Sequence, residues 1–304
     1  MKHYRFIDYC TQAYLAVVAL LILLFHGLQQ PYWQALVATH VVVAVLVHVL
    51  IRVHAARPQS NLLDLFRHFY PIILYTPFYT ETGLLNQMFV QGHLDGFFIG
   101  LEQRMFGFQP SIAFMDALPY LAVSELFYAS YFLYYVMNVT VGLMLYCRDR
   151  RHFLHYVTLT SFIFYLCYLI YIFLPVVGSR VYTSEVLGFA LQKEWDFFPL
   201  PYPEAVQAGV FFRIMKFIYA NFEAHGAAFP SSHVAIAMVT LFFSWRYRLG
   251  IRHVHVAAVI MLCASTVYCR YHYLVDVLAG ALLGVAGVAV GEWLRGRFEH
   301  ASAV

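Results

Sequence analysis

Apolar runs of bilayer-crossing length leave this chain few folds to choose from. Crossing about 30 Å of hydrocarbon takes roughly 20 mainly apolar residues in a helix. Ala13 to Leu28, Tyr32 to Ile51, Leu121 to Tyr146, Phe153 to Leu174, Val254 to Tyr268 and Leu274 to Trp293 meet or approach that length, as does Val234 to Trp245 once its flanks are added. A weaker candidate, Leu62 to Tyr79, carries Asp64, Arg67 and Pro71. Composition agrees: 62% of the 304 residues are hydrophobic and 12% charged, whereas soluble domains run at roughly 45–50% apolar and 25% charged. The expected architecture is an all-α, polytopic membrane bundle.

Basic residues set the expected sidedness, because Lys- and Arg-rich loops stay cytoplasmic. If Leu62 to Tyr79 crosses, five basic groups share one side: Lys2 with Arg5, Arg52 with Arg57, "RDRR" at 148–151, "RYRLGIR" at 246–252, and Arg295 with Arg297. The expectation is therefore about eight spans with both termini cytoplasmic. Residues 1–60 supply two N-terminal spans, and residues 61–304 hold a six-helix unit. Its long loops, 80–118 and 176–230, then face the extracytoplasmic side, periplasmic or lumenal.

Within those loops, Leu94, Phe97, Leu101 and Met105 recur at helical spacing with Asp95 and Glu102 on another face, and "VFFRIMKFIYANF" follows a turn-rich "PLPYP". Both stretches predict helices lying in the membrane interface. A net charge of +3 without a long Lys/Arg block argues against nucleic acid as a partner. Five cysteines, with no Cys-x-x-Cys pair, form neither a disulfide framework nor a zinc knuckle.

Under this topology three polar clusters meet at one membrane face. "LPVVGSR", 174–180, brings Arg180; "PSSH", 230–233, brings Ser231, Ser232 and His233; "CRYHYLVD", 269–276, brings Arg270, His272 and Asp276. His272 and Asp276 are four residues apart, one helical turn, so the carboxylate can fix the imidazole tautomer and leave its other nitrogen free as nucleophile or base. Asp276 is costly within a span, which marks it for a cavity and a partner. Pro230 precedes a helix start whose free amides attract anions, with two serine hydroxyls beside them and His233 one step further, placed to donate a proton. Arg180 and Arg270 are candidates to clamp the remaining oxygens of a phosphoryl group. Gly280, Gly284, Gly287 and Gly291 form a small-residue seam for helix packing. The set needs neither metal nor cofactor.

These residues resemble the type 2 phosphatidic acid phosphatase superfamily of membrane lipid phosphatases and phosphotransferases, whose motifs are an Arg-bearing stretch, Pro-Ser-x-His, and His-x-x-x-Asp. "FLPVVGSRVY", "AAFPSSH", "RYHYLVDVLAG" and the upstream "LEQRMFGFQPS" look most like the branch that includes inositol phosphorylceramide synthases and their bacterial relatives. The likeness covers about the last 240 residues. It implies His272 as a nucleophile forming a phosphohistidine, Asp276 as its partner, and His233 as the acid protonating the leaving alcohol. Arg180, Ser231, Ser232 and Arg270 would contact phosphate. Two positions depart from the family pattern: Phe173 stands where other members have a Lys, and Thr266 where the third motif has its Arg. The implied activity is metal-independent transfer of a phosphoryl or phospho-headgroup from a membrane lipid, to a polyol or other alcohol acceptor. A lipid phosphate phosphatase is the alternative within the class, and a membrane transporter or channel the alternative outside it.

Overall fold

In the computed structural model, which describes residues 3–27, 30–180 and 202–303, every long apolar run is helical. The helices are α1 (Phe6–Phe25), α2 (Trp33–Ala56), α3 (Asn61–Leu85), α4 (Asp95–Phe106), α5 (Pro110–Ala117), α6 (Leu121–Arg148), α7 (Arg150–Phe173), α8 (Glu204–Gln207), α9 (Val210–Phe222), α10 (Ser232–Arg246), α11 (Arg252–Tyr268) and α12 (Leu274–Ala303). The only bridge among the described residues pairs Val176 with Ala227. Residues 181–201, including the start of "PLPYP", and Lys2 and Leu28 lie outside the description.

Among the described residues, five helices are long and apolar enough to cross a bilayer: α1, α2, α6, α7 and, over Leu274–Phe298, α12. The chain is an integral membrane protein. Three others fall short of that criterion. The 25 residues of α3 contain Asp64, Arg67, Pro71 and Pro77, whereas α10 and α11 are 15 and 17 residues long, below the roughly 20 that full hydrocarbon thickness requires. The weak segment Leu62 to Tyr79 thus lies within one continuous helix, from its second residue onward, that runs through both prolines.

The bundle is organised around α7, 67% of whose apolar window is buried, and which packs against α1, α3, α6, α10 and α12. By contrast α2, at 17%, sits at the periphery against α1 and α3. Helix starts are set locally by side-chain caps. Ser60 accepts from the Leu63 amide at 3.4 Å and Asp149 from the Arg151 amide at 2.8 Å, each satisfying one of the first free N–H groups.

A buried ion pair ties α1 to α3. Both Arg67 Nη atoms donate to the two Asp8 oxygens, and Asp8 also accepts from the Tyr70 hydroxyl and the Arg5 amide, each at 2.6 Å. Neither charged side chain is more than 1% exposed. Removing one partner of such a pair strands the other charge in a dry interior, at a cost of roughly 3–5 kcal/mol, whereas replacing both with apolar residues is often neutral. Arg67→Met is accordingly expected to lower the thermal midpoint of the purified protein sharply, and Asp8→Leu/Arg67→Met to recover most of the loss, measured by thermal unfolding in detergent.

Candidate active site

Three segments build the site, and backbone contacts hold them in register. The chain leaving α7 pairs with the chain entering α10: the Val176 amide donates to the Gly226 carbonyl at 3.1 Å, and the Ala228 amide to the Val176 carbonyl at 2.8 Å. The turn between α11 and α12 packs on the same strand-like piece. Ser179 Oγ donates to the carbonyls of Arg270 (3.1 Å) and His272 (3.4 Å). Gly178, at φ +104°, lies against the Tyr271 carbonyl, where any Cβ would collide; only glycine combines that backbone angle with that approach. The turn itself closes on Thr266, whose carbonyl accepts from the amides of Tyr271 and His272 at 3.2 and 3.1 Å.

At the start of α10, Ser231 caps the helix by accepting from the Val234 amide at 3.4 Å, while its own amide donates to the Asp276 carbonyl at 3.1 Å. The Tyr171 hydroxyl donates to the Pro230 carbonyl at 3.0 Å and accepts from the Ser232 amide at 3.2 Å. Gly280 faces Ser231 and Gly284 faces Ala235 so closely that neither has room for a Cβ. These contacts bring the second and third motifs together across two helices.

His272 Nδ1 lies 3.3 Å from Asp276 Oδ2, which also accepts from the Tyr273 amide at 2.9 Å. The rings of His272 and His233 are 5.8 Å apart, inclined at 61°. His272 Nε2, His233 Nδ1 and Asp276 Oδ1 are buried without a hydrogen-bond partner among the described residues. Buried polar atoms are normally paired, so a group of orphans facing one small region marks a place built for something else to bind. Burial, with Arg180 adding to it, pushes the His272 imidazole down to about 3, so at neutral pH it carries an available lone pair.

The two arginines differ. Arg180, 1% exposed, lies over the Tyr219 and Tyr271 rings at 4.8 and 5.5 Å and is ion-paired with Glu223. Burial works to lower its pKa, but Glu223 together with Tyr219 and Tyr202 more than offsets this and holds the guanidinium above its ordinary value. Its Nε has no hydrogen-bond partner among the described residues. Arg270, at the left-handed φ of 60°, instead turns to Asp116 Oδ1 at 2.8 Å and lies over the Tyr202 ring. Thus Arg180 lies close enough to act electrostatically on His272, while Arg270 is engaged with Asp116 of α5.

Three further carboxylates shape the site. Glu223, at the end of α9, holds Arg180. On α4, Asp95 accepts from the Val177 and Gly178 amides at 3.0 and 2.9 Å and from the Tyr273 hydroxyl at 2.9 Å. Seven residues along, Glu102 accepts from the Val275 amide at 3.1 Å, capping α12. The helix predicted in this loop forms, but its two acidic residues point inward, 8% and 0% exposed, instead of lying along a solvated face. The signal was present: two carboxylates seven residues apart in an apolar helix share a face, and buried carboxylates need partners. Glu223 had no such signal, since its partner is brought in from 43 residues away in sequence.

No group of three or more His, Cys, Asp or Glu side chains suited to a metal ion forms among the described residues. The helical membrane scaffold and a paired-histidine site at its helix ends define the class, and comparison supplies the family. A family model for the PAP2 superfamily matches residues 98–290, a span that includes every residue of the three motifs, and the chain belongs to that superfamily. Its chemistry is therefore that of phosphatases and phosphotransferases in general. No curated protein and no solved structure matches the chain.

Glu102 offers a pH test. Burial raises its pKa from 4.5 to about 7, with the backbone amides at the start of α12 opposing the shift. A carboxyl raised on folding favours the protonated state, so its contribution is fully present below about 4.5 and is lost as pH rises through about 7. Glu102→Gln should flatten that fall in the thermal midpoint over the same interval, whereas an unchanged profile would place the titration elsewhere.

Proposed function

We propose that this protein is a metal-independent lipid phosphotransferase of the inositol phosphorylceramide synthase-like branch. In this reading His272 Nε2 attacks the phosphorus of a membrane lipid, the P–O bond to the leaving alcohol breaks, and His233 gives that oxygen its proton. His233 then takes the proton of an incoming alcohol as its oxygen attacks phosphorus. The P–N bond breaks, and His272 returns to its neutral state. Asp276 holds the imidazole and balances its charge while phosphorylated, whereas Arg180 and the α10 start, with Ser231 and Ser232, stabilise the phosphoryl oxygens. Arg270 would reach phosphate only by leaving Asp116.

The observation that carries the proposal is the orphaned His272 Nε2, with its ring 5.8 Å from that of His233 and its Nδ1 turned to Asp276. Transfer is favoured over hydrolysis because the cavity that reaches His233 is walled mainly by apolar side chains, a setting that disfavours water as the resolving nucleophile. The same reading takes α3, α10 and α11 as further crossings, giving eight. It has α3, α6, α7, α10, α11 and α12 as the six-helix catalytic core, the first 60 residues as an addition, both termini cytoplasmic and the site extracytoplasmic. A transporter finds less support, because the motif side chains Arg180, His233, His272 and Asp276 gather at one set of helix ends instead of marking a midplane path.

His272→Ala should abolish turnover of radiolabelled lipid phosphate, and wild-type enzyme quenched in alkali should retain label on histidine. His233→Ala should slow turnover by about 100- to 10,000-fold, the range of one positioned general acid, with part of the activity recovered on a substrate whose leaving group needs no proton. Product analysis with and without an added polyol separates transfer from hydrolysis. Full activity in the His272 variant, or label that never becomes protein-bound, would overturn the mechanism.

A further inference from the structure

A cavity of about 660 Å³ runs from Ser232 and His233 down between α3 and α6, floored by α7. It forms because α3 and α6 both pack on α7 but make little contact with each other along most of their length. At the end far from His233 it closes, where Phe69 and Phe153 pack at 4.9 Å and both meet Tyr146. Its lining from Phe69 to Tyr79 on α3 covers about 15 Å at about 1.5 Å per residue. That is about the depth of one leaflet of a hydrocarbon core roughly 30 Å thick.

The lining is rich in tyrosine yet presents few polar atoms, because the hydroxyls are engaged in the surrounding walls. Tyr75 bonds Ser161 at 2.7 Å, Tyr168 donates to the Tyr75 carbonyl at 3.3 Å, and Tyr156 to the Asn138 carbonyl at 3.3 Å. Apart from Thr160 Oγ1, midway along α7, and Glu223 Oε2, near His233, which have no hydrogen-bond partner among the described residues, what remains for a ligand is ring faces and aliphatic groups. Such a slot suits one hydrocarbon tail and poorly suits a polyol. One wall, α3, lies outside residues 98–290, so the superfamily match does not account for the slot.

We propose that this slot is a tail-binding site that measures chain length: one hydrocarbon tail of the lipid whose phosphate sits between His233 and His272 lies along α7 with its end against Phe69 and Phe153. This rests on the phosphoryl-transfer reading for the position of the headgroup. Selection by length follows from the closed end. Gly142 and Val139 line the deeper half on α6. A Cβ at Gly142 would meet Tyr156 at 3.4 Å, ordinary contact, so a larger side chain there fills the slot. Val139 is 61% exposed and tolerates substitution without disturbing the core.

The test uses palmitoyl lysophosphatidic acid bearing a diazirine near the tail end, with the full chain in detergent micelles. Photolabelling is expected within 132–143 and 153–168, competed by dioleoyl but not by dihexanoyl phosphatidic acid. In Gly142→Leu and Val139→Trp, the turnover ratio of dioleoyl to dihexanoyl substrate should fall about tenfold or more, since each methylene that loses its pocket costs 10-fold or more. Label confined to other helices, label not competed by the long-chain lipid, or an unchanged ratio in both variants would overturn the proposal. If wild-type protein turns over no phospholipid yet the competed label falls in the slot, the tail site stands and the catalytic reading fails.

Discussion

The approach of α10 to α12 at Gly280 and Gly284 is the contact on which the site depends. Without Cβ atoms at those positions the two helices close until the Ser231 amide reaches the Asp276 carbonyl at 3.1 Å. That single hydrogen bond joins the cap of one helix to the first turn of the other. From it follows the 5.8 Å spacing of the imidazole rings, because His233 and His272 lie two and four residues from the bonded pair. Small residues at membrane helix contacts allow backbones to approach in this way, where no hydrophobic force between helices is available to do it.

The site is stiffened from outside by a helix that does not cross the bundle. Asp95 and Glu102 reach from α4 to the amides of Val177, Gly178 and Val275, which belong to the loop bearing Arg180 and to the start of the helix bearing Asp276. Helix α4 is therefore a brace for two motifs at once. On the far side, Glu223 pairs with Arg180 and balances its charge. A guanidinium held in this way is already desolvated and fixed in place, and the pair satisfies both charges in the interior.

Together the brace, the seam and the slot between α3 and α6 describe a protein with a polar site at the helix ends and an apolar passage beneath it.

The sequence alone determined the helical membrane character, the motif residues and the His272–Asp276 pair, because these depend on local quantities: length of apolar run, one-turn spacing, and the cost of a charge in lipid. It also pointed to glycines as a packing seam, since four small residues at helical spacing have few other uses. The number of crossings was less readable, because α3, α10 and α11 lie near or below the length and apolarity that separate spans from other helices. Only tertiary structure decided that Arg180 comes within electrostatic reach of His272 while Arg270 turns to Asp116, that Glu223 holds Arg180, and that α3 walls a slot. Each depends on where distant segments meet, and side-chain direction at a turn such as the left-handed Arg270 is set by the neighbours that fold against it, which no local pattern encodes.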